Sequence, residues 1–569
     1  MTFPRFLPVG DAALSVEFGD RIDPAVNARV RGLDRALQDH PFPGFRESLP
    51  TYRSLLVLYD PRATRFAEAT VALRTLAEAG AAGELTGRLV VVPARYGGED
   101  GPDLAEVARA HQLTEAEAVI AHASVEYTAF MVGFIAGFAY LGPLPAPLEM
   151  PRRPTPRVRV PAGSVAVAGR QTGIYPVALP GGWNLIGRTS IRLFDPLGDP
   201  PCLIQAGDRV RFVRVDELPP PEPPRPSPTR ASPPAVEVLQ AGLLTTVQDE
   251  GRPGWWRAGV SGSGAMDGPA LRAANQLVGN PPGAAGLECT VAGPQLRFLV
   301  TTHFAVTGGD LSPILQRDDL GAWPVPPGAP VLARAGNVLS FGGRRSGCRA
   351  YLGLAGGIDV PLMLGSRSTD LAAGFGGIDG RPLRAGDLLC LGRRAAGGSG
   401  GAGEPPPLEE RARIQSARAP RERGALPIKE RARIHSARAY DDRASDVTVR
   451  VVLGPQDDHF PAHALTAFLG EAYALAPESD RVGCRLRGPR LEHRGAAEIV
   501  ADGMVPGCVQ VPPDGQPIVM MAGGPTTGGY PKIATVVSAD LPALAQLLPG
   551  EGRVRFRVVS VEEVQEASL

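Results

Sequence analysis

The feature that most restricts the fold is a long motif that occurs once in each half of the chain. The first copy begins at Val160 and reads VPAGSVAVAGRQTGIYP, and the second begins at Val511 and reads VPPDGQPIVMMAGGPTTGGYP. Each copy is followed by a near-identical segment, GDRVRF at 207–212 and EGRVRF at 551–556. Matching landmarks in the same order indicate that both halves contain the same structural unit.

The segments around these landmarks read as short β-strands that Gly and Pro interrupt. The chain of 569 residues contains 70 Gly and 59 Pro, and such punctuated short strands are typical of compact barrels. We therefore predict an α+β, mainly β protein with barrels in tandem, preceded by a small N-terminal α/β lobe. In that lobe the sequence predicts strands at 14–19 and 54–60 and helices at 24–37 and 67–79.

Two segments are expected not to pack. Residues 216–234 hold nine prolines, which favour an extended, semi-rigid spacer. The segment from about 394 to 445 is rich in Gly, Arg and Glu, and within it ERARIQSAR at 410–418 recurs as ERARIHSAR at 430–438. Such a charged, apolar-poor duplication is typical of a disordered linker, with a short pair of solvated helices as the alternative.

These linkers divide the chain into six predicted segments. They are the N-terminal α/β lobe (1–85), a barrel (86–215), the Pro-rich linker (216–235), a barrel (236–393), the Gly/Arg/Glu-rich linker (394–445) and a barrel (446–569). Further helices are predicted near 269–278, 463–473 and 541–548.

The charge and the cysteine content argue against several classes of protein. The formal net charge is zero, whereas a nucleic-acid binder needs a basic excess to contact phosphates. The most apolar run, at 130–141, is too short to span a bilayer, and no signal peptide is apparent. The six scattered cysteines include no C-x-x-C pair. We therefore expect buried, reduced thiols in a cytoplasmic protein with no membrane or nucleic-acid partner.

Common catalytic and cofactor motifs are missing from the sequence. It contains no G-x-x-x-x-G-K-[ST], no G-x-G-x-x-G between a strand and a helix, and no G-x-S-x-G. His459 and His463 are spaced i,i+4 beside Asp457 and Asp458, but a solvated helix start has the same pattern. We predict no metal site.

Five glycine-rich loop groups carry most of the polar residues that could do chemistry. Glycine reaches positive φ without strain, so backbone amides can converge on an anion there, and hydroxyl and cationic side chains add to binding. The alternative is that these glycines only turn the corners of barrels. The binding candidates in these loops are Tyr140, Arg153, Gln171, Thr172, Tyr175, Arg188, Ser263, Thr526, Thr527, Gly528 and Tyr530.

Lys532 in the last of these loops is a candidate catalytic residue. The chain contains 57 Arg but only two Lys, and the other, Lys429, lies in the second predicted linker. A retained lysine suggests that arginine cannot serve, because an ammonium is a compact charge that can lose its proton when desolvated. Chance survival of one lysine is the alternative.

His122 and several Asp and Arg residues complete the candidates. His122 suits proton transfer near neutral pH, and a core histidine with satisfied hydrogen bonds is the alternative. Asp249 is a further catalytic candidate. The binding candidates of this group lie in similar loops, with structural ion pairs as the alternative; they are Arg252, Asp267, Arg367, Asp480 and Arg481.

At these motifs the sequence resembles two known families. Residues 1–215 resemble the B-type 5-oxoprolinase subunit, a Kip-inhibitor-like family with carboxyltransferase subdomains C and D, through GDAALSVEFGD, GFAYLG and PGGW-x-LIGRT. Residues 236–569 resemble the C-type 5-oxoprolinase subunit, a Kip-antagonist-like family with subdomains A and B, through TTVQD-x-GRPG, SGAMD, LGSRSTD and TTGGYPKIATV. The chain is thus similar to a fusion of the two, and we call its parts the B-type half and the C-type half.

The resemblance implies cyclophilin-like barrels and ATP-dependent hydrolysis of 5-oxo-L-proline to L-glutamate, performed with a separate A-type 5-oxoprolinase subunit. It implies ATP with Mg²⁺ as cofactor and a small-molecule substrate, and a homo-oligomer is possible. Lactam opening needs an anion cradle, a cation for developing charge and a base for water. The cradle is assigned to Thr526, Thr527, Gly528 and Lys532, similar work in the first half to Arg153, Gln171 and Arg188, and proton transfer to His122.

Two other functions stay open. The related urea amidolyase barrels imply a biotin-dependent carboxyltransferase acting on urea or a small amide, with biotin carried by another protein. A non-catalytic regulator that binds a histidine kinase is the second. The sequence departs from the family pattern at Ala136, Leu179, Gly523 and Cys484, and these changes bear on substrate and activity.

Overall fold

The computed structural model describes residues 3–79, 87–226, 228, 232–318, 321–393 and 446–567. Four parts follow one another along the chain. We call them the N-terminal lobe (3–79), the first barrel (87–215), the two-sheet region (232–393) and the second barrel (446–567). The predicted linker at 394–445, with Lys429, lies outside the described residues.

One antiparallel sheet and two helices make up the N-terminal lobe. The strands are β1 (Arg5–Pro8), β2 (Ala13–Glu17), β3 (Phe45–Pro50) and β4 (Ser54–Tyr59), in the order β1-β2-β4-β3. Helices Pro24–Asp39 and Phe66–Glu78 pack with the sheet around one apolar core. The first helix begins as predicted, because the Asp23 carboxylate accepts hydrogen bonds from the amides of Ala25 and Val26.

The first barrel is closed by seven strands. Its strands are β5 (Leu89–Tyr96), β6 (Glu126–Val132), β7 (Ala139–Gly142), β8 (Arg157–Val160), β9 (Ser164–Ala168), β10 (Gln171–Ile174), β11 (Leu179–Gly181), β12 (Asn184–Arg188) and β13 (Arg209–Arg214). The closed order is β10-β7-β6-β13-β5-β12-β9, and β8 pairs with β11 beside it. Strand β13 runs parallel to β5. Helices Leu104–Ala110 and Glu115–Ala123 lie between β5 and β6, and a 3₁₀ turn spans Ala146–Leu148.

The two-sheet region differs from the predicted barrel at 236–393. Its strands are β14 (Pro234–Gln240), β15 (Leu244–Gln248), β16 (Gly286–Thr290), β17 (Gln295–Phe298), β18 (Thr302–Asp310), β19 (Pro313–Arg317), β20 (Gly321–Pro324), β21 (Val331–Ala333), β22 (Val338–Phe341), β23 (Ser346–Leu354) and β24 (Leu388–Cys390). They form a six-stranded sheet, β20-β19-β22-β17-β14-β24, and a five-stranded sheet, β15-β16-β23-β18-β21.

The physical reason for this correction is that both arrangements use the same short alternating strands. Both sheets contribute to one apolar core, with Val236 from one sheet and Leu287 from the other. The region also contains the predicted helix, at Gly268–Leu277, and a 3₁₀ turn at Trp256–Ala258. The repeated landmarks are missing from these residues, so the repeat itself had predicted only the other two barrels.

The second barrel repeats the architecture of the first. Its strands are β25 (Asp446–Leu453), β26 (Tyr473–Leu475), β27 (Gly483–Arg487), β28 (Asp502–Gly503), β29 (Cys508–Gln510), β30 (Ile518–Met520), β31 (Thr527–Gly528), β32 (Lys532–Val536) and β33 (Arg553–Val558). Seven of them close as β25-β32-β29-β30-β27-β26-β33, and β28 pairs with β31. Strand β33 runs parallel to β25, as β13 does to β5. The tandem barrels are confirmed.

Short helices complete the second barrel. They span Ala462–Gly470, Leu541–Ala545 and Val561–Glu566, with 3₁₀ turns at Asp457–His459 and Ser538–Asp540. The first two confirm the helices predicted near 463–473 and 541–548, although both end earlier than predicted. The helix at Val561–Glu566 returns to the N-terminal lobe, where the Gln565 amide donates to the Asp11 carbonyl and the Tyr59 hydroxyl, both at 3.0 Å.

The Pro-rich segment contacts the first barrel, which differs from the predicted unpacked spacer. The Ser190 hydroxyl donates to the Pro219 carbonyl at 2.6 Å, and Arg225 pairs with Asp195 at 3.0 Å. Proline carbonyls remain good acceptors although proline has no amide donor, so an extended proline-rich strand can still be held by side chains. The six cysteines are buried and free, as predicted.

Candidate functional site

The loop at 523–532 of the second barrel lies against the first barrel. The Thr527 hydroxyl lies beside the phenol of Tyr140 on β7, and its Oγ1 makes no hydrogen bond of normal geometry within the described residues. The approach is close because Gly133 has no side chain, and a Cβ there would overlap the Thr527 side chain. Phe134 follows with φ +67°, and the Ile135 amide donates to the Gly133 carbonyl at 2.8 Å, which makes a strained γ-turn. The second half therefore contributes to a site in the first half.

Five aromatic side chains form what we call the aromatic cluster beside this contact. They are Tyr52, Phe138, Tyr140, Tyr175 and Trp183, whose neighbouring rings meet edge to face with centroids 4.8 to 6.0 Å apart. Ala501 of the second barrel packs on the same cluster. Burial raises the pKa of Tyr175 to about 12, so its phenol stays protonated at neutral pH.

Arg152 lies near both the aromatic cluster and the loop of the second barrel. It is exposed and forms no ion pair with any residue in the described part of the chain. Two of its guanidinium nitrogens lie 3.7 and 3.9 Å from the position of a Cβ on Gly529. Burial raises the pKa of Tyr52, Tyr140 and Tyr175, and the positive charge of Arg152 opposes that rise in all three. Arg152 is thus an uncompensated cation beside three phenols.

Gln171 contributes a second hydrogen-bond donor near the same phenols. The Tyr52 hydroxyl donates to Gln171 Oε1 at 2.8 Å. The amide oxygen is therefore occupied, whereas the amide nitrogen makes no hydrogen bond to a residue that the structure describes. Gln171 is half-buried at the start of β10, so its NH₂ group remains available.

Thr526 offers a buried hydroxyl without a partner. Its Oγ1 makes no hydrogen bond within the described residues, which costs about 1–3 kcal/mol for a buried polar group. Thr526 lines a cavity of about 10 Å³ with Trp256, Gly262 and Pro525, enough for about one water molecule. This hydroxyl fits a bound water or a small ligand atom.

Lys532 is fully buried in an ion pair. Its Nζ donates to Asp502 Oδ2 at 2.9 Å, and the two side chains are 1% and 2% exposed. Asp502 also accepts from the Ser54 hydroxyl and from the Gln456 amide. Burial alone would raise the pKa of Asp502, but the charges of Lys532 and Arg53 lower it far below its usual range.

This pairing does not support the predicted anion cradle of Thr526, Thr527, Gly528 and Lys532. The predicted cradle depends on Lys532 for its positive charge, and that charge is neutralised at 2.9 Å by Asp502. The residues of the loop therefore do not fit the phosphates of ATP. Tyr530 contributes its carbonyl, which accepts from the Gln510 amide at 3.3 Å.

His122 lies in the core of the first barrel and is 0% exposed. Its Nδ1 is 2.8 Å from the Tyr96 hydroxyl, and its Nε2 is 2.9 Å from Thr172 Oγ1. Burial lowers the pKa of His122 to about 3, so the imidazole is neutral. Proton transfer requires contact with the substrate. The geometry favours the core histidine over the predicted acid or base, and it gives Thr172 the same structural role.

Asp249 anchors two loops of the two-sheet region. Its carboxylate accepts from the hydroxyls of Ser366 at 2.6 Å and Ser368 at 2.5 Å, and from the Arg367 amide at 2.6 Å. A carboxylate occupied in this way is not positioned as a catalytic base. Arg252 is fully buried, with its guanidinium carbon 4.6 Å from the centroid of an aromatic ring.

The remaining candidates also make structural contacts. Arg481 donates to the Glu288 carboxylate, and Asp267 accepts from the Gln546 amide at 2.8 Å, which together join the second barrel to the two-sheet region. The others are held locally: Arg153 by Asp103, Arg188 by the Ala162 carbonyl, Arg367 by Asp359, Asp480 by the Val482 amide and Ser263 by Ser261. For these residues the geometry favours the structural alternatives.

Sequence reasoning missed Arg152, Tyr52 and Asp502. The PRR motif contains Arg152 beside Arg153, but adjacent side chains point to different surroundings, and only Arg153 finds carboxylates. Tyr52 is 119 residues from its partner Gln171, so no local pattern could have indicated it.

The positions that depart from the family pattern lie in or near packed surroundings. Ala136 and Cys484 are buried, and Leu179 packs against the aromatic cluster. The Gly523 amide donates to the Arg481 carbonyl at 2.8 Å. Within the described ranges, no three His, Cys, Asp or Glu side chains are grouped as metal ligands, and no helix is both long and apolar enough to cross a membrane.

Comparison with known proteins agrees with this two-part architecture. Residues 4–204 match the model of the carboxyltransferase domain, subdomain C and D, and residues 258–558 match that of the carboxyltransferase domain, subdomain A and B. The chain is 42% identical over 220 residues to the B-type 5-oxoprolinase subunit of Bacillus subtilis, which covers 37% of this chain and 92% of that protein.

One further relative covers the second half of the chain, and one solved structure covers nearly all of it. The chain is 36% identical over 332 residues to the C-type 5-oxoprolinase subunit of Escherichia coli, covering 58% of this chain and 94% of that protein. The crystal structure of TTHA0988 has a TM-score of 0.77 at 35% identity and covers 96% of this chain and 99% of that chain. The chain therefore belongs to the carboxyltransferase-domain family, with subdomains C and D in its first half and subdomains A and B in its second.

Proposed function

We propose that this chain is a component of an ATP-dependent 5-oxoprolinase, which hydrolyses 5-oxo-L-proline to L-glutamate together with a separate A-type 5-oxoprolinase subunit. The support is that one chain contains relatives of two named parts of that enzyme, the B-type and the C-type. We place the reaction in the cytoplasm, in keeping with six buried cysteines that form no disulfide.

The observation that carries this proposal is the contact of Thr527 with Tyr140. It combines a hydroxyl of the C-type half with a phenol of the B-type half in one site. A site built from both halves requires both to be present, and a fused chain holds them at a high effective concentration.

In the proposed reaction this site binds and orients a lactam. Amide resonance makes the lactam carbonyl unreactive toward water, and ATP supplies the activation in the proposed reaction. No residue of this chain is assigned to the nucleotide. We assign hydrogen bonding of a lactam C=O or N–H to the Thr527 and Tyr140 hydroxyls, and exclusion of water around the lactam to the aromatic cluster.

The test is to mix the purified chain with an A-type 5-oxoprolinase protein, ATP and 5-oxo-L-proline, and to measure L-glutamate and ADP. We expect both products only when both proteins are present. Each protein alone provides the control. ADP without glutamate, or neither product, would contradict the proposal.

Carboxyl transfer from biotin is a second candidate, because the family models are those of a carboxyltransferase domain. It is tested in the same preparation by adding carboxybiotin with urea or a small amide. Loss of the carboxyl group from carboxybiotin, without glutamate formation from 5-oxo-L-proline, would favour it. If neither glutamate formation nor carboxyl transfer is detected, the result would favour a non-catalytic regulator.

A further inference from the structure

Arg152 differs from most arginines around it. Arg153, Arg157, Arg170 and Arg188 each lie within 4.0 Å of a carboxylate. Arg152 has no such partner among the described residues, although it lies near three phenols and the loop of the second barrel. An arginine that the protein itself does not neutralise presents five N–H donors in a planar fork.

Gln171 shares Tyr52 as a neighbour with Arg152, and its unpaired group is also a donor. The Gln171 amide nitrogen is free to donate, because the amide oxygen already accepts from Tyr52. A ligand that satisfies both groups must offer at least two acceptor oxygens and a negative charge. A carboxylate meets this requirement, since it accepts bidentate hydrogen bonds from a guanidinium.

The surroundings restrict the size and shape of this ligand. The second-barrel loop approaches Arg152 through Gly529, which has no side chain, and the aromatic cluster presents ring edges nearby. Such a site suits a small ligand with a flat ring and a single carboxylate.

We propose that Arg152 and Gln171 bind the carboxylate of the substrate and that Arg152 selects carboxylate-bearing lactams over uncharged amides. This inference rests on the proposed function, to which it adds the group of the substrate that the chain recognises. Urea and simple amides have no carboxylate, so they gain nothing from Arg152.

The test compares Arg152→Gln with Arg159→Gln in the glutamate assay. Arg159 is an exposed arginine of the same segment that also has no ion pair within the described ranges and is not among the charges that act on the three phenols. We expect Arg152→Gln to raise KM for 5-oxo-L-proline about 10- to 100-fold with little change in kcat, because the carboxylate is bound equally in the ground and transition states. Arg159→Gln should leave both constants unchanged.

A second measurement separates failure of this inference from failure of the proposed function. Thermal shift of the chain alone is recorded with 5-oxo-L-proline, with its carboxamide and with glutarate. We expect the two carboxylates to stabilise the unmodified chain but not Arg152→Gln, and Arg152→Lys to give an intermediate shift. Glutamate formation with equal KM in Arg152→Gln and Arg159→Gln would overturn the inference alone. Carboxylate-dependent shifts without glutamate formation would overturn only the proposed function.

Discussion

The two barrels carry the same Thr-Gly-x-Tyr-Pro motif and use its threonine in opposite directions. In the first barrel the Thr172 hydroxyl bonds inward, to His122 Nε2 at 2.9 Å and to the Ala166 carbonyl at 3.0 Å. In the second barrel the Thr527 hydroxyl faces outward, toward Tyr140 of the other barrel. One copy therefore stabilises its own barrel, whereas the other completes a site between the barrels.

The two barrels also bury different kinds of titratable group. The first barrel buries a neutral histidine, and the second buries the ion pair of Lys532 with Asp502. A neutral group depends on hydrogen bonds, while an ion pair depends on both charges being present. These differences between the barrels lead to the following predictions, given from the largest expected effect to the smallest.

Lys532→Met should have the largest effect. It leaves the Asp502 carboxylate buried without its counter-ion, which should lower the free energy of unfolding by about 3–5 kcal/mol. The measurement is urea denaturation followed by tryptophan fluorescence.

The matched control combines Lys532→Met with Asp502→Asn. Removing both charges should cost less than the sum of the single changes. Strictly additive effects would show that the pair is not coupled. We also expect Lys532→Arg to lower the free energy of unfolding, by about 1–3 kcal/mol, since the larger guanidinium must enter a fully buried site.

Acid should weaken the first barrel before the second. The pKa of His122 is about 3 in the folded chain and about 6.5 when unfolded. Between these values the unfolded chain binds more protons, so stability falls as pH decreases and should be lower by about 2 kcal/mol at pH 5. The pKa of Asp502 is lowered, so its contribution is retained above about pH 3.9 and lost below.

The measurement is the unfolding free energy at pH 7, 6 and 5 for the unmodified chain and for His122→Gln. The variant is expected to be less stable at pH 7 but to lose less stability on acidification. Equal slopes in the two proteins would mean that His122 does not remain neutral in the folded chain.

Substituting valine for Thr172 should lower stability, whereas substituting valine for Thr527 should lower activity. Thr172→Val removes two buried hydrogen bonds, which should cost about 1–3 kcal/mol of stability. Thr527→Val should change stability little but lower kcat/KM about tenfold, the effect of one lost hydrogen bond to the substrate. Denaturation and the glutamate assay measure both variants. A Thr527→Val protein with unchanged kcat/KM would remove Thr527 from the site.

The sequence was sufficient to predict the repeated barrels but not the two-sheet region. Both barrels follow from landmarks such as GDRVRF and EGRVRF, which place β13 and β33 beside a parallel partner. The two-sheet region has no such landmark, and its strands have the same local pattern whether they close or stack.

The candidate site could be predicted only in part for a similar reason. The sequence shows that Lys532 is unusual and predicts a catalytic role for it, but its partner Asp502 is 30 residues away in sequence, and the ion pair becomes visible only in three dimensions. Gln171 and Tyr140 were named from their motifs, whereas Tyr52 belongs to the N-terminal lobe and joins them through folding. His122 is 0% exposed, which favours a core histidine over a catalytic acid or base. A sequence motif does not show whether a residue is buried.

The contact of Gln565 with the N-terminal lobe bears on the order in which the parts can follow one another along the chain. Because Gln565 hydrogen-bonds Asp11 and Tyr59, the last helix and the first strands lie side by side. A circular permutant that joins these ends and opens the chain between 394 and 445 would place the second barrel ahead of the B-type half. The same contacts could form in that order, so the fold does not dictate which part is translated first.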